Sequence, residues 1–262
     1  MKIIVLASGS QGNATYIETE HIKLIIDAGI SYRQMKLRLQ EHNLDIQTIH
    51  TVLITHEHSD HIKGLSSLLK FTNAVVYAPL ETFEHINAKT AHNIPDERYH
   101  EIVLNQAFFL EDLTITPIPV SHDATCTIGF VIQNAVKRLV YMTDIGYLPE
   151  TDYPLLKNAD MYIFEANYDV SLLFSSARPY YLKKRIDSIK GHLSNTDSAY
   201  HLTRLIGEQT KTLVLAHPSQ ECNTEHHVLN TFKEVFESYE MNLDNYDVIV
   251  AKQHQVSKII KL

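Results

Sequence analysis

The sequence predicts a layered α/β fold, because strand-like apolar runs alternate with helical patterns and several of those runs end on a histidine or an aspartate. The chain has 262 residues, of which 44% are hydrophobic and 21% are charged. This composition is typical of a folded globular protein and excludes a disordered or fibrous chain. No Gly/Ser-rich or Pro-rich linker and no internal repeat interrupts the sequence, so we expect a single domain over residues 1–262.

The predicted strands are short runs, many of them rich in valine and isoleucine. They cover residues 2–6, 23–27, 51–55, 74–77, 113–120, 127–133, 138–143, 161–164 and 212–216. Helical periodicity is present at residues 32–41, 194–206 and 225–239. Ser31 precedes the first of these segments and is a suitable N-cap. The early strands form hairpins with few helices between them, whereas the later part alternates strand and helix.

Charge and cysteine content exclude several classes of protein. Lys and Arg total 23 against 31 Asp and Glu, a net charge of -8, which argues against a generally basic nucleic-acid coat but not against a local basic groove. Two cysteines cannot form a disulfide framework, so we expect free thiols and a cytoplasmic protein. The apolar run at the start is far shorter than the roughly 20 residues of a membrane span, so no membrane attachment is expected. The oligomeric state is left open.

Four predicted strands are followed by a potential metal ligand. These residues are His56, His122, Asp144 and His217. In each case an apolar run that belongs inside a sheet delivers one imidazole or carboxylate at the point where the strand stops. Strand ends of one sheet can converge on a common edge, where ligands bind in open α/β sheets. We therefore expect the four side chains to share a site.

The strongest local signal is the segment from His56 to His61, which reads His-Glu-His-Ser-Asp-His. Neutral imidazoles and carboxylates are the usual ligands of zinc and similar ions. His56 and His58 can point the same way from an extended segment, while Asp60 and His61 begin the next turn. One stretch can therefore serve two adjacent ions. The alternative interpretation is a polar surface turn, and a lone histidine elsewhere is more often a hydrogen-bonded structural residue.

The combined pattern resembles that of the metallo-β-lactamase-fold hydrolases: His-x-His-x-Asp-His, then a lone His, a lone Asp and a lone His, each after an apolar strand. The resemblance implies a four-layer αβ/βα sandwich. It also implies two divalent metal ions, zinc or manganese, with a hydroxide held between them. The implied ligands are His56, His58 and His122 for the first ion, Asp60, His61 and His217 for the second, and Asp144 as the bridge.

Further segments resemble the YycJ/WalJ/VicX-type family of bacterial proteins, namely residues 7–14, 120–124, 143–147, 164–167, 191–195 and 215–219. That family lies in the phosphodiesterase branch, and its members are described as 5′-to-3′ DNA exonucleases. The resemblance implies a metal-dependent phosphodiester hydrolase with DNA as its substrate. Pro218 departs from the His-Leu-Ser that usually follows the last ligand, and it removes a backbone donor, which puts substrate contacts there in question.

The same resemblance implies roles in catalysis for three residues. Asp60 is a ligand at the reacting centre. His192 is a histidine beside the metals that is not a ligand, and it could protonate the departing 3′ oxygen. Glu165 could orient His192 or a neighbouring ligand. A structural hydrogen bond near a helix start is the alternative interpretation of His192.

Substrate contacts are expected in three places. Asn13 lies in the glycine-rich turn at residues 7–14, which is equally interpretable as a hairpin loop that needs positive φ. Asn195 lies directly after the segment that contains His192 and could also cap a helix. Residues 178–190 contain five cations and two tyrosines, which could follow a phosphate backbone and stack on bases, or could form a solvated helix face. The candidate cations are Arg178, Lys183, Lys184 and Arg185.

Two other functional classes stay open. A ribonuclease, a cyclic phosphodiesterase or a thioester hydrolase of the same fold would use the same ions, so the motif does not separate them. A protein of another class, a DNA-binding or regulatory partner without catalytic activity, could retain the metal as a structural staple.

Overall fold

The computed structural model describes residues 1–262. The strands are β1 (Lys2–Ala7), β2 (Ala14–Glu18), β3 (Lys23–Ile26), β4 (Thr51–Leu53), β5 (Val75–Ala78), β6 (Tyr99–Glu101), β7 (Phe108–Leu110), β8 (Leu113–Val120), β9 (Thr127–Gln133), β10 (Arg138–Met142), β11 (Met161–Glu165), β12 (Thr212–Ala216), β13 (Asp247–Val250) and β14 (Ile260–Lys261). The helices are α1 (Tyr32–Gln40), α2 (Ser59–Ile62), α3 (Leu65–Phe71), α4 (Leu80–Lys89), α5 (Tyr153–Leu156), α6 (Val170–Ser175), α7 (Tyr180–Ile186), α8 (Asn195–Leu205) and α9 (Glu225–Ser238).

The contacts within the chain divide it into two compact units. The first unit consists of Met1–Pro119, Ala124–Ile128 and Lys252–Leu262. The second unit consists of Val120–Asp123 and Gly129–Ala251. The single domain expected over residues 1–262 stays a prediction.

The first unit contains a mixed seven-stranded sheet in the order β14-β1-β2-β3-β4-β5-β6. Strands β1 to β3 pair antiparallel, as hairpin strands do, and β3 to β6 pair parallel. Ile26 at the end of β3 lies opposite Leu53 at the end of β4, so the residues that follow these strands emerge at the same edge. The core beneath this sheet is apolar and includes Ile25, Val52, Met35, Leu39 and Leu68.

The second unit contains the strand order β13-β12-β11-β10-β9, in which β10 to β13 run parallel and β9 pairs antiparallel with β10. The registers place Met142 opposite Phe164, and Glu165 opposite Ala216. The carboxyl ends of β10, β11 and β12 therefore lie side by side. In parallel sheets this edge is where ligands bind.

The α/β class is confirmed by two mixed sheets with helices along the chain. All nine predicted strands and all three predicted helices are present, with ends that differ from the prediction by at most two residues. The segments without a prediction include α3, α4 and five of the strands, namely β2, β6, β7, β13 and β14. Both cysteines are free thiols, as expected. None of the helices has the length and apolar composition that crossing a membrane requires.

Gly29 brings two loops of the first unit into close contact. Its amide donates a hydrogen bond of 2.7 Å to the carbonyl of Asn13. A Cβ atom added to Gly29 would lie 1.7 Å from the carbonyl oxygen of Asp60 and 2.5 Å from the amide nitrogen of Asn13. No side chain fits between these backbones, so glycine is required here by the close approach.

We predict that Gly29→Ala lowers the free energy of unfolding by about 1–3 kcal/mol or more, because the added methyl group must displace backbone atoms. Gly207→Ala is the matched control. Its Cβ would meet side-chain atoms of Asn158 and no backbone atom among its three nearest neighbours. Chemical denaturation of both variants measures the difference, and equal losses in the two variants would contradict the proposed packing.

Candidate metal centre

The segment from His56 to His61 forms a cluster of imidazoles shortly after β4. The ring centroids of His56 and His61 lie 4.0 Å apart, and those of His56 and His58 lie 4.6 Å apart. Nε2 of His61 lies 3.6 Å from Oδ2 of Asp60. His56 and His61 are completely buried. Because like charges repel strongly at such distances away from water, this packing suits neutral rings and not three protonated ones.

Asp27, which follows β3, orients His61. Nδ1 of His61 donates to Oδ2 of Asp27 at 2.8 Å. Asp27 also accepts from the amide of Thr55 at 2.8 Å and from its hydroxyl at 2.9 Å. Burial raises the pKa of Asp27, and the interactions with His61 and Thr55 offset this only in part. Since Nδ1 of His61 carries the donated proton, Nε2 of the same ring is an acceptor and faces Asp60.

Asn13 supports the same cluster from the turn between β1 and β2. Its Nδ2 lies 3.1 Å from Nε2 of His61, and its Oδ1 accepts from the amide of Gly9 at 2.9 Å. Its backbone amide donates to the carbonyl of Asp60 at 2.7 Å. Asn13 is buried. The side chain of Asn13 therefore positions the segment of candidate ligands, and we propose no substrate contact for it.

In the second unit, Asp144 is surrounded by three imidazoles. Its Oδ1 lies 3.7 Å from Nε2 of His122 and 3.6 Å from Nε2 of His217. Nδ1 of His192 lies 3.6 Å from the same oxygen. The three residues predicted singly from strand ends, His122, Asp144 and His217, are therefore brought together within this unit.

Glu165, the last residue of β11, is completely buried beside these imidazoles. Its Oε1 accepts from Nδ1 of His192 at 2.8 Å and lies 3.2 Å from Nδ1 of His217. Its Oε2 accepts from the amides of Ile145 at 2.7 Å and Leu193 at 3.2 Å. Burial by itself raises the pKa of Glu165, but His192 and the hydrogen bonds from both imidazoles outweigh burial and hold this pKa below its ordinary value. Glu165 is thus an ionised acceptor that two histidines share.

His122 and His217 each have Nδ1 directed at an oxygen. Nδ1 of His122 donates to the carbonyl of Gly191 at 2.9 Å. Nδ1 of His217 faces Glu165 and also lies 2.9 Å from Nδ2 of Asn167. Because an ionised carboxylate only accepts, we assign the Nδ1 proton of His217 to Glu165. Burial lowers the pKa of His122, which Asp144 offsets only in part, so this imidazole is neutral.

These tautomers fit a metal site. Imidazoles that bind metals almost always donate their other N–H to a carboxylate or a backbone carbonyl, which fixes the ring and leaves the second nitrogen to the ion. His61, His122 and His217 have this arrangement, with Asp27, Gly191 and Glu165 as the respective acceptors. In the second unit, Asp144, Glu165, His192 and His217 offer ligand atoms within 4.8 Å of one another.

Three residues around these clusters have left-handed backbone conformations. The φ angles are 59° at Asp27, 57° at Asp144 and 55° at His217. Each residue lies one or two positions after a buried strand. Aspartate tolerates this region better than most residues other than glycine, and a left-handed residue turns the chain sharply. This conformation changes the direction of the side chain at the point where the strand ends. Residues with such uncommon backbone angles concentrate at functional sites.

Two of the predicted substrate-binding residues have structural contacts inside the second unit. Lys183 is buried, and its Nζ donates to the carbonyls of Phe174 and Ser176 at 2.7 Å each. The amide group of Asn195 is buried against Asn223, with hydrogen bonds of 2.8 and 3.0 Å. Both side chains are used to hold loops together, so we do not include them among the proposed substrate contacts.

The other predicted cations lie at the surface. Nε of Arg178 forms an ion pair with Glu221 at 2.8 Å. Arg185 binds Asp123, the neighbour of His122, through Nε at 2.6 Å and Nη2 at 2.5 Å. Arg185 therefore fixes the loop that carries a candidate ligand.

Lys184 combines a cation with aromatic rings on α7. Its Nζ lies 5.4 Å from the ring centroid of Phe174 and 5.9 Å from that of Tyr180. Asp187 is 3.7 Å away. Tyr180 and Tyr181 are 68% and 76% exposed. This surface offers a positive charge and open ring faces to a ligand.

The sequence analysis missed Asp27 and Asn167 as supporting residues of the candidate site. Asp27 ends the predicted strand at residues 23–27 just as Asp144 follows the strand at 138–143, so the same signal was present. Asn167 donates to the carbonyl of His217 at 2.8 Å. Asn167 lies in the segment 164–167, which resembles the YycJ/WalJ/VicX-type family but to which the sequence analysis assigns no role.

Comparison with known proteins identifies the family and the fold. The sequence model of the family described as "Beta-lactamase superfamily domain" matches residues 23–217. The solved structure of the metallo-beta-lactamase fold protein YhfI from Bacillus subtilis is similar with a TM-score of 0.71 at 18% identity, over 98% of this chain and 99% of that one. This likeness confirms the predicted sandwich of metallo-β-lactamase type. That fold implies divalent metal ions.

Two curated relatives narrow the assignment of the chain to one family within this superfamily. "Exodeoxyribonuclease WalJ" from Streptococcus pneumoniae strain D39 is 37% identical over 223 residues, which are 85% of this chain and 83% of that protein. "Exodeoxyribonuclease YycJ" from Bacillus anthracis is 35% identical over 222 residues, 84% of this chain and 83% of that protein. The chain therefore belongs to the beta-lactamase superfamily of hydrolases and, within it, to the family of the WalJ and YycJ proteins.

We predict that Asp27→Asn weakens metal binding by roughly 10–100-fold, because the amide no longer holds the Nδ1 proton of His61 as a carboxylate does. Competition with a chromophoric chelator measures the affinity. Asp45→Asn is the matched control, since Asp45 is exposed and its side chain accepts only from the amide of Gln47 within its own turn, at 3.0 Å. Unchanged affinity in Asp27→Asn would contradict the orienting role.

Proposed function

We propose that this chain is a two-metal phosphodiester hydrolase that degrades DNA as a 5′-to-3′ exonuclease. The observation that carries the proposal is the set of three buried imidazoles whose Nδ1 atoms are directed at oxygens, at His61, His122 and His217. In the same three residues, Nε2 lies 3.6 to 3.7 Å from a carboxylate oxygen of Asp60 or Asp144, so an imidazole nitrogen and a carboxylate oxygen are placed to share an ion. The relatives named as exodeoxyribonucleases support DNA as the substrate.

The proposed ligand set is the one that the family resemblance implies. The first ion is assigned to His56, His58 and His122, the second to Asp60, His61 and His217, and Asp144 is assigned to both. Zinc and manganese both suit this mixture of imidazoles and carboxylates. When bound, such ions supply a water that is acidic enough to ionise near neutral pH, together with positive charge that stabilises the phosphate oxygens in the transition state.

The protein's own residues prepare this chemistry. Asp27 and Glu165 hold the imidazoles of His61 and His217 in the neutral tautomer and in the orientation that a ligand needs. Little reorganisation is therefore needed when the substrate binds. His192 has a different position, since its Nδ1 is bound to Glu165 and its side chain is 19% exposed. We assign His192 as the acid that protonates the departing 3′ oxygen, with Glu165 as its positioning residue.

Lys184 and its aromatic neighbours are the proposed path of the nucleic acid strand away from the centre. A phosphate attracts the ammonium group, and bases can stack on Tyr180 and Tyr181. Arg178 and Arg185 add positive charge to the same segment, although each also forms an ion pair with a carboxylate.

The proposal is tested with end-labelled duplex DNA. We expect the metal-loaded protein to release nucleotides from the 5′ end, to lose activity with a chelator and to regain it with manganese or zinc added separately. RNA, a cyclic nucleotide and a thioester serve as competing substrates. Faster turnover of any of these than of DNA would overturn the DNA assignment.

We predict that His58→Ala and Asp144→Ala each lower the bound metal and abolish hydrolysis, because each removes a proposed ligand. Metal content by atomic absorption and nucleotide release from DNA are measured on the same samples. His50→Ala is the control, since His50 is an exposed histidine of the first unit outside the cluster. Full metal content with normal turnover in either ligand variant would refute the assignment.

We predict that His192→Gln retains metal but slows DNA cleavage by roughly 100-fold or more, the usual range for loss of a general acid. A p-nitrophenyl phosphodiester has a leaving group that needs no proton, so its hydrolysis should be reduced far less. His226→Gln, at an exposed histidine on α9, is the matched control. An equal loss on both substrates would argue for a structural role of His192.

A further inference from the structure

A tight turn after α7 carries an exposed isoleucine beside the candidate ligands of the second unit. The amide of Gly191 donates to the carbonyl of Ser188 at 2.8 Å, which closes the turn and places Ile189 and Lys190 at its tip. Ile189 is 69% exposed. Turns of this kind are ordinarily built from glycine, proline, asparagine, aspartate and serine. Neither core packing nor the conformation of the turn therefore accounts for a large apolar side chain at this position.

The backbone of this turn is held in one position. The hydroxyl of Ser121 donates to the carbonyl of Ile189 at 2.6 Å, and the amide of His192 donates to the carbonyl of Ile186 at 2.9 Å. A Cβ atom added to Gly146 would lie 2.4 Å from the carbonyl oxygen of Ile189, so a second loop packs directly against the turn. The backbone of Ile189 is thus fixed while its side chain is open to solvent. A group that is already fixed loses little conformational freedom when it contacts a ligand.

The turn lies between the proposed path of the nucleic acid strand and the candidate ligands. It follows α7, which carries Lys184 and the exposed tyrosines. At the end of the turn, the carbonyl of Gly191 accepts from Nδ1 of His122 at 2.9 Å. The next residue is His192, the proposed acid. A strand that extends from α7 to the candidate ligands therefore passes Ile189.

The candidate ligands in this unit are enclosed. Asp144 and His217 are each 2% exposed, and the side chain of His192 is 19% exposed. A phosphate reaches groups so enclosed as part of one strand, because the complementary strand would collide with the surrounding surface. The last base pair of a duplex must therefore open before its phosphodiester is cleaved, and unpairing and unstacking a base costs free energy. The protein has to supply a contact that replaces the lost stacking.

We propose that Ile189 is an apolar wedge that enters the stack at the end of duplex DNA and separates the terminal base pair, and this inference rests on the proposed function. Proteins that unstack DNA insert the same class of side chain, isoleucine included, between base steps. Lys190 is exposed directly beside the wedge and attracts the neighbouring phosphate. Ile189 is thus a specificity-determining residue, because a duplex requires the wedge and a single strand does not.

The first test compares initial rates on a blunt duplex and on the same labelled strand without its complement, with metal and at limiting DNA. We expect Ile189→Ala to lower the duplex rate about tenfold relative to the single-strand rate, because alanine lacks the three carbon atoms that contact the separated pair. Val136→Ala is the matched control. Val136 is an aliphatic residue in the turn after β9, is 78% exposed, and should keep the wild-type ratio when it is replaced.

A duplex with a mismatched end provides a rescue that a structural role of Ile189 would not produce. Its terminal bases are already unpaired, so no wedge is needed, and the difference in rate between the wild type and Ile189→Ala should shrink to about twofold or less. Ile189→Gln keeps the length of the side chain but makes it polar, and it should behave as Ile189→Ala does. Circular dichroism checks the folding of both variants.

The second test requires no hydrolysis. A duplex with 2-aminopurine at the terminal position of the cleaved strand is bound in chelator, and the rise in its fluorescence reports unstacking. Fluorescence anisotropy measures the bound fraction. At equal bound fraction, we expect a clear rise with the wild-type protein and with Val136→Ala, and a much smaller rise with Ile189→Ala.

An unchanged ratio of duplex to single-strand rates in Ile189→Ala, or an equal loss on all three substrates, overturns the inference. A wild-type protein that binds the duplex without a rise in fluorescence, or does not bind it, also overturns it. So does an equal effect of Val136→Ala, because general surface hydrophobicity would then explain the result. Failure of the proposed function has a different signature, since the metal-loaded wild-type protein would then hydrolyse neither the duplex nor the single strand.

Discussion

The structure around both histidine clusters depends on carboxylates that are completely hidden from water. Asp27 and Glu165 have no exposed surface, and a buried carboxylate is stable only when hydrogen bonds replace its hydration. Backbone amides supply part of that replacement, and an imidazole Nδ1 supplies the rest. The stability of the carboxylate and the orientation of the ring are therefore one interaction. Neither residue can be changed without affecting the other.

Much of this arrangement could be predicted from the sequence, because it depends on local patterns. Short apolar runs rich in valine and isoleucine locate the strands, and a strand end is followed by one candidate ligand side chain at His122, Asp144 and His217. Parallel pairing of β10, β11 and β12 then brings the ends that precede Asp144 and His217 together. The resemblance to a known family added the proposed assignment of the metal ligands.

The supporting contacts could not be predicted, because they join residues that are far apart in the chain. Lys183 resembles an exposed cation in sequence, yet its ammonium group binds two carbonyls. Asn195 and Asn223 pair across 28 positions. The strands that received no prediction include short edge strands such as β6 and β14, which have too few residues to show a period of two. Tertiary packing, and not a pattern in the sequence, defines these short strands.

The shared oxygen of Glu165 has a consequence for how variants are interpreted. Oε1 contacts His192 and His217 at the same time, so the protonation of one ring alters the electron density available to the other. Substitutions at the two histidines should therefore be non-additive, and their coupling energy can be extracted only from a double-mutant cycle. A rate loss at one ring includes a contribution from its neighbour, and the two effects are inseparable in single variants.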